Sequence, residues 1–188
     1  MIIIGITGTL GAGKGTIVEY LTKKKGFNHF SVRAYLIEEI EKRNIPVNRD
    51  SMVLVANELR TNNSPSYIAE QLLERASKSE KNCIIESIRT QGEVEALKAN
   101  GSFYLFAIDA AANTRYERIQ KRNSETDNVT FETFLENEER EMQSSDPNKQ
   151  NISSCIEMAD YVFENDETIE ELEEKVDAVI GYILESKA

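Results

Sequence analysis

Short apolar runs alternate with longer segments of helical periodicity along this chain of 188 residues. Short, nearly continuous apolar runs are typical of strands covered on both faces, and apolar residues recurring every third or fourth position are typical of helices. The apolar runs are Ile2–Thr7, His29–Val32, Asn82–Ile88, Phe103–Asp109 and Tyr161–Glu164. The helical segments are Lys14–Lys24, Ala34–Arg43, Arg49–Thr61, Ser66–Ser77, Gln91–Ala99, Asn113–Arg122, Thr130–Met142, Ile152–Met158 and Thr168–Ser186. The alternation predicts a three-layer α/β fold with about five parallel strands.

Two segments interrupt this alternation. Residues 34–78, between the second and third runs, hold three helical segments, far more chain than a crossover needs. We expect these extra helices to form an insertion that covers and binds an acceptor. The second interruption, Asn123–Asn128, is short and polar. It is either a short mobile lid, within a lid region of about 118–142, or an ordinary helix–helix loop.

Composition favours one compact domain over residues 1–188, because 40% of the residues are hydrophobic and only three are proline. The formal net charge of −11 disfavours binding to nucleic acid or to an anionic membrane through bulk charge. Cys83 and Cys155 form no CxxC motif, so a disulfide framework is not expected. The chain opens directly on an apolar strand without a signal-peptide pattern, and we expect a cytoplasmic monomer or homodimer.

A glycine-rich motif joins the first apolar run to the first helical segment: Gly8-Thr9-Leu10-Gly11-Ala12-Gly13-Lys14-Gly15-Thr16. The Gly-x4-Gly-Lys spacing between a strand and a helix predicts a phosphate-binding P-loop. Glycines allow successive N–H groups to surround an anion, and the helix N-terminus adds a positive dipole end. We expect the nucleotide phosphates to bind at Gly8, Gly11, Ala12, Gly13, Lys14, Gly15 and Thr16.

The third apolar run ends in charged residues, Glu86 and Arg89. Because the carboxyl edge of a parallel sheet is where such proteins bind ligands, both are candidate site residues. Glu86, together with Thr16, could hold Mg²⁺ through water, and Arg89 could clamp a phosphate. The alternative is a simple Glu–Arg surface pair. His29, the only histidine, lies within the second run and is expected to be a packed structural residue.

Two motifs resemble adenylate kinases and related nucleoside-monophosphate kinases. Gly13-Lys14-Gly15-Thr16 is similar to their phosphate loop, and that family holds Mg²⁺ largely through water and the nucleotide. The segment Glu86-Ser87-Ile88-Arg89-Thr90 resembles their Asp-Gly-Phe-Pro-Arg-Thr, which implies that Arg89 binds the α-phosphate of the acceptor. Residues 91–95 and 114–122 are similar to archaeal adenylate-kinase-related proteins and to dephospho-CoA kinases. The resemblance covers nearly the whole chain.

Arginines supply the remaining candidate residues. One helical face carries Arg115, Arg118 and Arg122, and this face either turns toward the lid or is simply exposed to solvent. The resemblance implies that Arg118 and Arg122 stand at the lid entry and that Arg140 senses phosphate beyond it. The family's acceptor arginine falls at Ile37 here, so Arg33 or Arg60 would replace its charge; each could equally pair with a carboxylate.

The resemblance implies in-line transfer of the γ-phosphoryl group of ATP, with Mg²⁺, to a ribo- or deoxyribonucleoside monophosphate. The catalytic residues would be Lys14, Arg89, Arg118, Arg122 and Arg140, and the acceptor-binding residues Arg33, Arg60 and Arg89. Two alternatives stay open: transfer to a ribose hydroxyl, as in dephospho-CoA kinases, and an ATP-dependent switch or assembly factor. The residues do not specify the base or the sugar of the acceptor.

Overall fold

The computed structural model of the chain describes residues 1–122 and 129–186, and five strands within them form one parallel sheet. The strands are β1 (Ile3–Gly8), β2 (Asn28–Ser31), β3 (Cys83–Glu86), β4 (Phe103–Asp109) and β5 (Tyr161–Glu164). Their order across the sheet is β2-β3-β1-β4-β5. Every residue of β1 is buried, because this strand is central and covered on both faces.

Helices cover both faces of the sheet. In the described ranges they are α1 (Lys14–Lys25), α2 (Val32–Lys42), α3 (Arg49–Asn62), α4 (Tyr67–Ser77), α5 (Gln91–Lys98), α6 (Ala112–Arg122), α7 (Phe131–Met142), α8 (Ile152–Glu157) and α9 (Ile169–Glu185). Ile3 and Ile85 pack with α2 to α5 and α8, whereas Ile4 and Ile84 pack with α1 and α9. Successive strand residues point to opposite faces, so one strand supplies both cores. The predicted three-layer α/β fold with five parallel strands is confirmed.

Two of the differences between the predicted and observed element boundaries bear on the site. Ser31 caps α2, since its side chain accepts a hydrogen bond from the Ala34 N–H, and Val32 therefore belongs to the helix and not to β2. β3 stops at Glu86, because Ser87 has a φ of 72° and turns the chain out of the sheet. Both differences lie at the carboxyl edge of the sheet, where the candidate site residues are placed.

Strand order determines where that site forms. The chain leaves β1 through α1 toward β2 at one edge, and later passes from β3 across β1 to β4. A crevice opens at the carboxyl ends of adjacent strands whose connections run in opposite directions. The glycine-rich loop follows β1 and the segment from Glu86 to Arg89 follows β3, and these strands are hydrogen-bonded neighbours. The fold therefore brings the two predicted motifs together.

The remaining predictions concern the insertion, the lid, the cysteines and the membrane. Three helices, α2 to α4, separate β2 from β3, whereas the predicted lid at Asn123–Asn128 lies outside the described residues. Cys83 and Cys155 are free thiols, both buried. Within residues 1–122 and 129–186, none of the helices combines the length and apolar character that a membrane span requires.

Candidate functional site

The glycine-rich loop has a backbone that only glycine adopts readily. Gly8, Gly11 and Gly13 have φ values of 134°, 81° and 104°. A Cβ at Gly8 would lie 2.0 Å from the Ile108 carbonyl oxygen, and a Cβ at Gly13 would lie 2.2 Å from Asn165 Nδ2. Gly13 caps the N-terminus of α1 in the left-handed conformation, so the positive end of the helix faces the loop. Strand β4 and the segment after β5 thus hold the loop open for an anion.

Lys14 lies inside this loop. Its Nζ donates hydrogen bonds to the carbonyl oxygens of Gly8, at 2.9 Å, and Thr9, at 2.7 Å. Burial, and then the positive charge of Arg89, lower the pKa of Lys14 from its ordinary value of 10.5 to about 7, against the opposing effect of Glu86. The ammonium group is therefore poorly compensated, and it would be stabilised by a bound phosphate.

This pKa predicts a proton linkage to nucleotide binding. Phosphates favour the ammonium form, so they raise the pKa of Lys14, and binding takes up a proton above pH 7. Affinity for MgADP should then fall as the pH rises from 7 to 9, by up to about tenfold per unit. Calorimetry at pH 8 in two buffers of different ionisation enthalpy measures the uptake. Lys14→Arg, which stays protonated, should lose it; equal uptake by both proteins would contradict the assignment.

Glu86 stands at the end of β3, facing the loop. Its Oε2 lies 3.0 Å from His29 Nε2, on the neighbouring strand β2. Burial alone would raise the pKa of Glu86, but the hydrogen bond with His29 and the charges of His29, Lys14 and Arg89 lower it below the usual value. The expectation that His29 is a packed residue is wrong: it is exposed, because β2 is an edge strand. His29 instead is one of the groups that lower the pKa of Glu86.

Buried contacts fix the loop that carries Arg89. Glu93, with no exposed surface, accepts hydrogen bonds from the backbone N–H groups of Arg89, at 2.8 Å, and Thr90, at 3.1 Å. Its other oxygen binds Arg60 Nη2 at 2.8 Å. Arg60 is only 2% exposed, and its Nε has no hydrogen-bond partner within residues 1–122 and 129–186. Arg60 lines the cavity, but its positive charge is compensated mainly by Glu93. A role for Arg60 in acceptor binding stays a prediction.

A cavity of about 630 Å³ opens between these motifs. Among the described residues, its charged lining consists of Lys14, Arg33, Arg49, Arg60, Arg89, Arg118, Arg122, Glu86 and Glu141. Seven of these side chains are basic and two acidic, although the whole chain carries a net charge of −11. Local positive potential in an otherwise acidic protein favours a polyanionic ligand. The lining also includes Gly11, Gly13, Gly15 and Thr16 from the loop, whereas Gly8 and Ala12 lie behind them.

The cavity also has an apolar wall on its α2–α3 side. This wall is made by Val32, Leu36, Met52, Val53 and Ala56. Arg33 lies on α2 and Arg49 begins α3, so cationic and apolar groups alternate on this side. The lining also includes Arg118, Ile119 and Arg122 from α6 together with Asn165 and Ile169. Cationic and apolar side chains therefore occur together in both groups of lining residues.

The three arginines of α6 do not all line the cavity. Arg118 and Arg122 line the cavity, and Arg118 Nη1 donates to the Asn165 carbonyl oxygen at 2.7 Å. Arg115 is 4% exposed, binds the Ala110 carbonyl oxygen at 2.7 Å, and pairs with Glu138 of α7. Arg115 is therefore buried and is not among the residues that line the cavity, and its orientation toward the predicted lid at Asn123–Asn128, which lies outside the described residues, stays a prediction. The three positions lie within about 60° around the helix, but Arg115 and Arg122 are about 10 Å apart along its axis, so different parts of the fold face them.

Arg140 lies apart from this cavity. It is exposed on α7, where its guanidinium contacts the Asn137 side chain and the Glu136 carbonyl oxygen of its own helix. It is not among the residues that line the cavity, so a part in phosphate binding would require α7 to move. That role remains a prediction.

Several residues of the site were not predicted from the sequence. Arg49 Nη2 and Arg89 Nη1 contact the two carboxylate oxygens of Glu141, at 2.5 and 2.9 Å. Arg89 Nη1 also donates to Gln150 Oε1 at 2.6 Å. Asn165 Nδ2 donates to the Ala12 carbonyl oxygen at 2.7 Å. These partners are distant in sequence and belong to no local motif, so only the folded chain reveals them.

The residues present fit MgATP in one particular way. Across residues 1–122 and 129–186, no group of three or more His, Cys, Asp or Glu side chains is placed to hold a metal ion. Thr16 and Glu86 both line the cavity at the mouth of the loop. Mg²⁺ commonly keeps several water ligands and binds through one or two protein oxygens plus the phosphates of a nucleotide. The donor set therefore suits Mg²⁺ that arrives with ATP rather than a dedicated metal site.

The chain is similar to known proteins over nearly its whole length. Residues 4–144 match the AAA domain family. A UPF0200 protein of Pyrococcus abyssi is 30% identical over 188 residues, covering 97% of each chain. A gluconokinase from Sinorhizobium meliloti has a TM-score of 0.62 at 13% identity, covering 98% of this chain and 94% of its own. A shikimate kinase from Bacteroides thetaiotaomicron has a TM-score of 0.58 at 14% identity, covering 96% and 98%. The likeness to these kinases shows the fold.

Proposed function

Because the chain belongs to the AAA domain family and to the UPF0200 proteins, within a P-loop kinase-like fold, we propose that it is an ATP-dependent phosphotransferase acting on a nucleoside monophosphate. The observation that carries the proposal is the cavity. It contains the glycine-rich loop, basic residues on both sides of that loop, and an apolar wall on the α2–α3 side beside Arg33 and Arg49. The narrower relation, to adenylate kinases or dephospho-CoA kinases, belongs to this proposal.

The donor side is the glycine-rich loop. Its amides and Lys14 would bind the β- and γ-phosphates of ATP, and Thr16 and Glu86 would hold Mg²⁺ through water. Mg²⁺ supplies charge neutralisation on the transferring phosphoryl group. Arg118 and Arg122 would stabilise the negative charge that develops there, since they reach the cavity from α6. Phosphoryl transfer needs mainly positioning and charge stabilisation, which this set provides without a covalent intermediate.

The acceptor side is formed by α2, α3 and the loop after β3. Arg33, Arg49 and Arg89 supply guanidinium groups, which bind phosphate with two parallel hydrogen bonds. The wall of Val32, Leu36, Met52, Val53 and Ala56 supplies an apolar surface for a flat ring. A small polyhydroxy acceptor would leave this wall uncovered, whereas a nucleoside monophosphate covers it and neutralises the arginines. This match favours the nucleotide acceptor.

Arg89→Ala tests the acceptor side separately from the donor side. The variant should bind nucleoside monophosphates about 10- to 100-fold more weakly, because a charge-assisted hydrogen bond to phosphate is lost. MgADP affinity should change by less than about threefold. Calorimetric titration of AMP, GMP, CMP and UMP, and separately of MgADP, measures both. Arg43→Ala, which removes an exposed guanidinium paired with Glu58, is the matched control. Parallel losses for both ligands would contradict the assignment of Arg89.

A further inference from the structure

Glu141 binds two of the three arginines of the acceptor side, Arg49 and Arg89. One oxygen contacts Arg49 Nη2 at 2.5 Å and the other contacts Arg89 Nη1 at 2.9 Å. Arg49 opens α3, Arg89 follows β3, and Glu141 lies near the end of α7, so three separate parts of the chain meet at one carboxylate. All three side chains line the cavity, and the Glu141 side chain is 18% exposed.

The contacts of Glu141 resemble those of a bound phosphate. A carboxylate has one negative charge and two oxygens, and here each oxygen is used on a different guanidinium. A phosphate monoester dianion has nearly two charges and three free oxygens, so it can bind both guanidiniums and still accept further hydrogen bonds. An uncharged hydroxyl acceptor, or water, offers neither the charge nor the geometry. An anionic ligand is needed to replace Glu141 on both arginines in this partly buried site, and a phosphate does so with more charge and more acceptor oxygens than a carboxylate.

We propose that Glu141 is a positioning residue that sets acceptor specificity: it occupies the arginine pair until the phosphate of an acceptor displaces it. The proposal rests on the proposed function only in taking this side of the cavity as the acceptor side. Glu141 acts through Arg49 and Arg89 and has no direct part in the chemistry. By competing for these arginines it lowers the affinity for every acceptor, and it discriminates most strongly against acceptors that lack an anionic group.

The same helix connects the acceptor side to the donor loop. Glu138, one turn before Glu141 on α7, pairs with Arg115, and Arg115 Nη1 approaches the Leu10 carbonyl oxygen at 3.4 Å. Leu10 belongs to the glycine-rich loop and lines the cavity. Displacement of Glu141 releases its ion pairs with Arg49 and Arg89, while Glu138 keeps its ion pair with Arg115. Arrival of the acceptor therefore changes the restraint on a helix that also contacts the donor loop.

Inorganic phosphate, titrated into protein saturated with MgADP so that the P-loop is filled, is the probe. Glu141→Gln should bind phosphate about tenfold more tightly than the unaltered chain, because the competing charge is gone. Glu139→Gln removes an equal charge from an exposed position of α7 and should have no more than about a twofold effect. The gain in phosphate affinity should be lost in the double variant Glu141→Gln/Arg89→Ala, with or without MgADP in the glycine-rich loop.

The sign of the change separates this role from a merely structural one. If Glu141 only held the arginines in shape, Glu141→Gln would bind phosphate more weakly. The proposal would be overturned if Glu141→Gln bound phosphate with unchanged or lower affinity, or if Glu139→Gln raised the affinity by as much. It would also be overturned if the gain in affinity persisted without Arg89, or if neither single variant bound phosphate. If phosphate follows the expected pattern but no nucleoside monophosphate binds, the inference stands and the proposed substrate fails.

Discussion

Replacing Lys14 with alanine is expected to reduce the rate of phosphoryl transfer at least about 1000-fold, because a charge aimed at the transferring group is removed from the site. Lys14 Nζ donates hydrogen bonds to the carbonyl oxygens of Gly8 and Thr9, which both belong to its own loop, so the fold should persist without it. Its lowered pKa of about 7 also indicates that the charged form is not a source of stability in the free protein.

The rate is measured by following nucleoside diphosphate formation, and the fold by circular dichroism and thermal unfolding. Lys24→Ala removes an exposed lysine from the same helix and should retain nearly full activity. Turnover of Lys14→Ala close to that of the unaltered chain would contradict the assignment of the loop. Loss of the folded state in this variant would contradict the view that the side chain serves ligand binding.

Glu93→Ala is expected to lower the free energy of unfolding by about 3–5 kcal/mol, because it leaves the guanidinium of Arg60 buried without its partner. It also removes the acceptor for the N–H groups of Arg89 and Thr90. Glu93→Gln, which can still accept those hydrogen bonds, should lose less. Chemical denaturation measures each variant.

Glu95→Ala, on the exposed face of the same helix, should stay within about 0.5 kcal/mol of the unaltered chain. An equally small loss for Glu93→Ala would mean that the buried Arg60–Glu93 pair adds nothing to stability. The acceptor loop would then have to be held by other contacts, and Arg60 would be available to a ligand.

Features that depend on local sequence were predictable. The strand runs and the Gly-x4-Gly-Lys motif are each contained in a few consecutive residues, and the fold that they predict is the observed one. The meeting of the glycine-rich loop with Glu86 and Arg89 was also predictable, because parallel strands bring their carboxyl ends to one edge. Periodicity and the parallel arrangement of the strands therefore predict that the two motifs meet at the carboxyl edge of the sheet.

Features that depend on long-range pairing were not predictable. Arg49 and Glu141 are 92 positions apart, and no local pattern pairs them. Arg115 has the same helical spacing as Arg118 and Arg122, yet its partner Glu138 on α7 draws it into the core. His29 was assigned to the interior because the pattern cannot tell an edge strand from a central one. Partner choice is set by the fold and not by the motif.

The backbone conformation of Ser87 gives a functional interpretation to its departure from the resembled adenylate-kinase segment. The residue lines the cavity with a φ of 72°, in the left-handed region that glycine favours. The resembled adenylate-kinase segment has glycine at this place. A non-glycine residue in this conformation costs stability, and such strain is concentrated at functional sites. The hydroxyl of Ser87 is thus a candidate ligand contact between Glu86 and Arg89.

A coupled phosphoryl-transfer screen tests the central claim most directly. The protein is incubated with MgATP and each common ribo- and deoxyribonucleoside monophosphate, with dephospho-CoA and a reaction without acceptor alongside. We expect at least one monophosphate to be converted to the diphosphate, with one ADP formed for each acceptor consumed. Phosphorylation of dephospho-CoA alone, or ADP release that is the same with and without every acceptor, would contradict the claim.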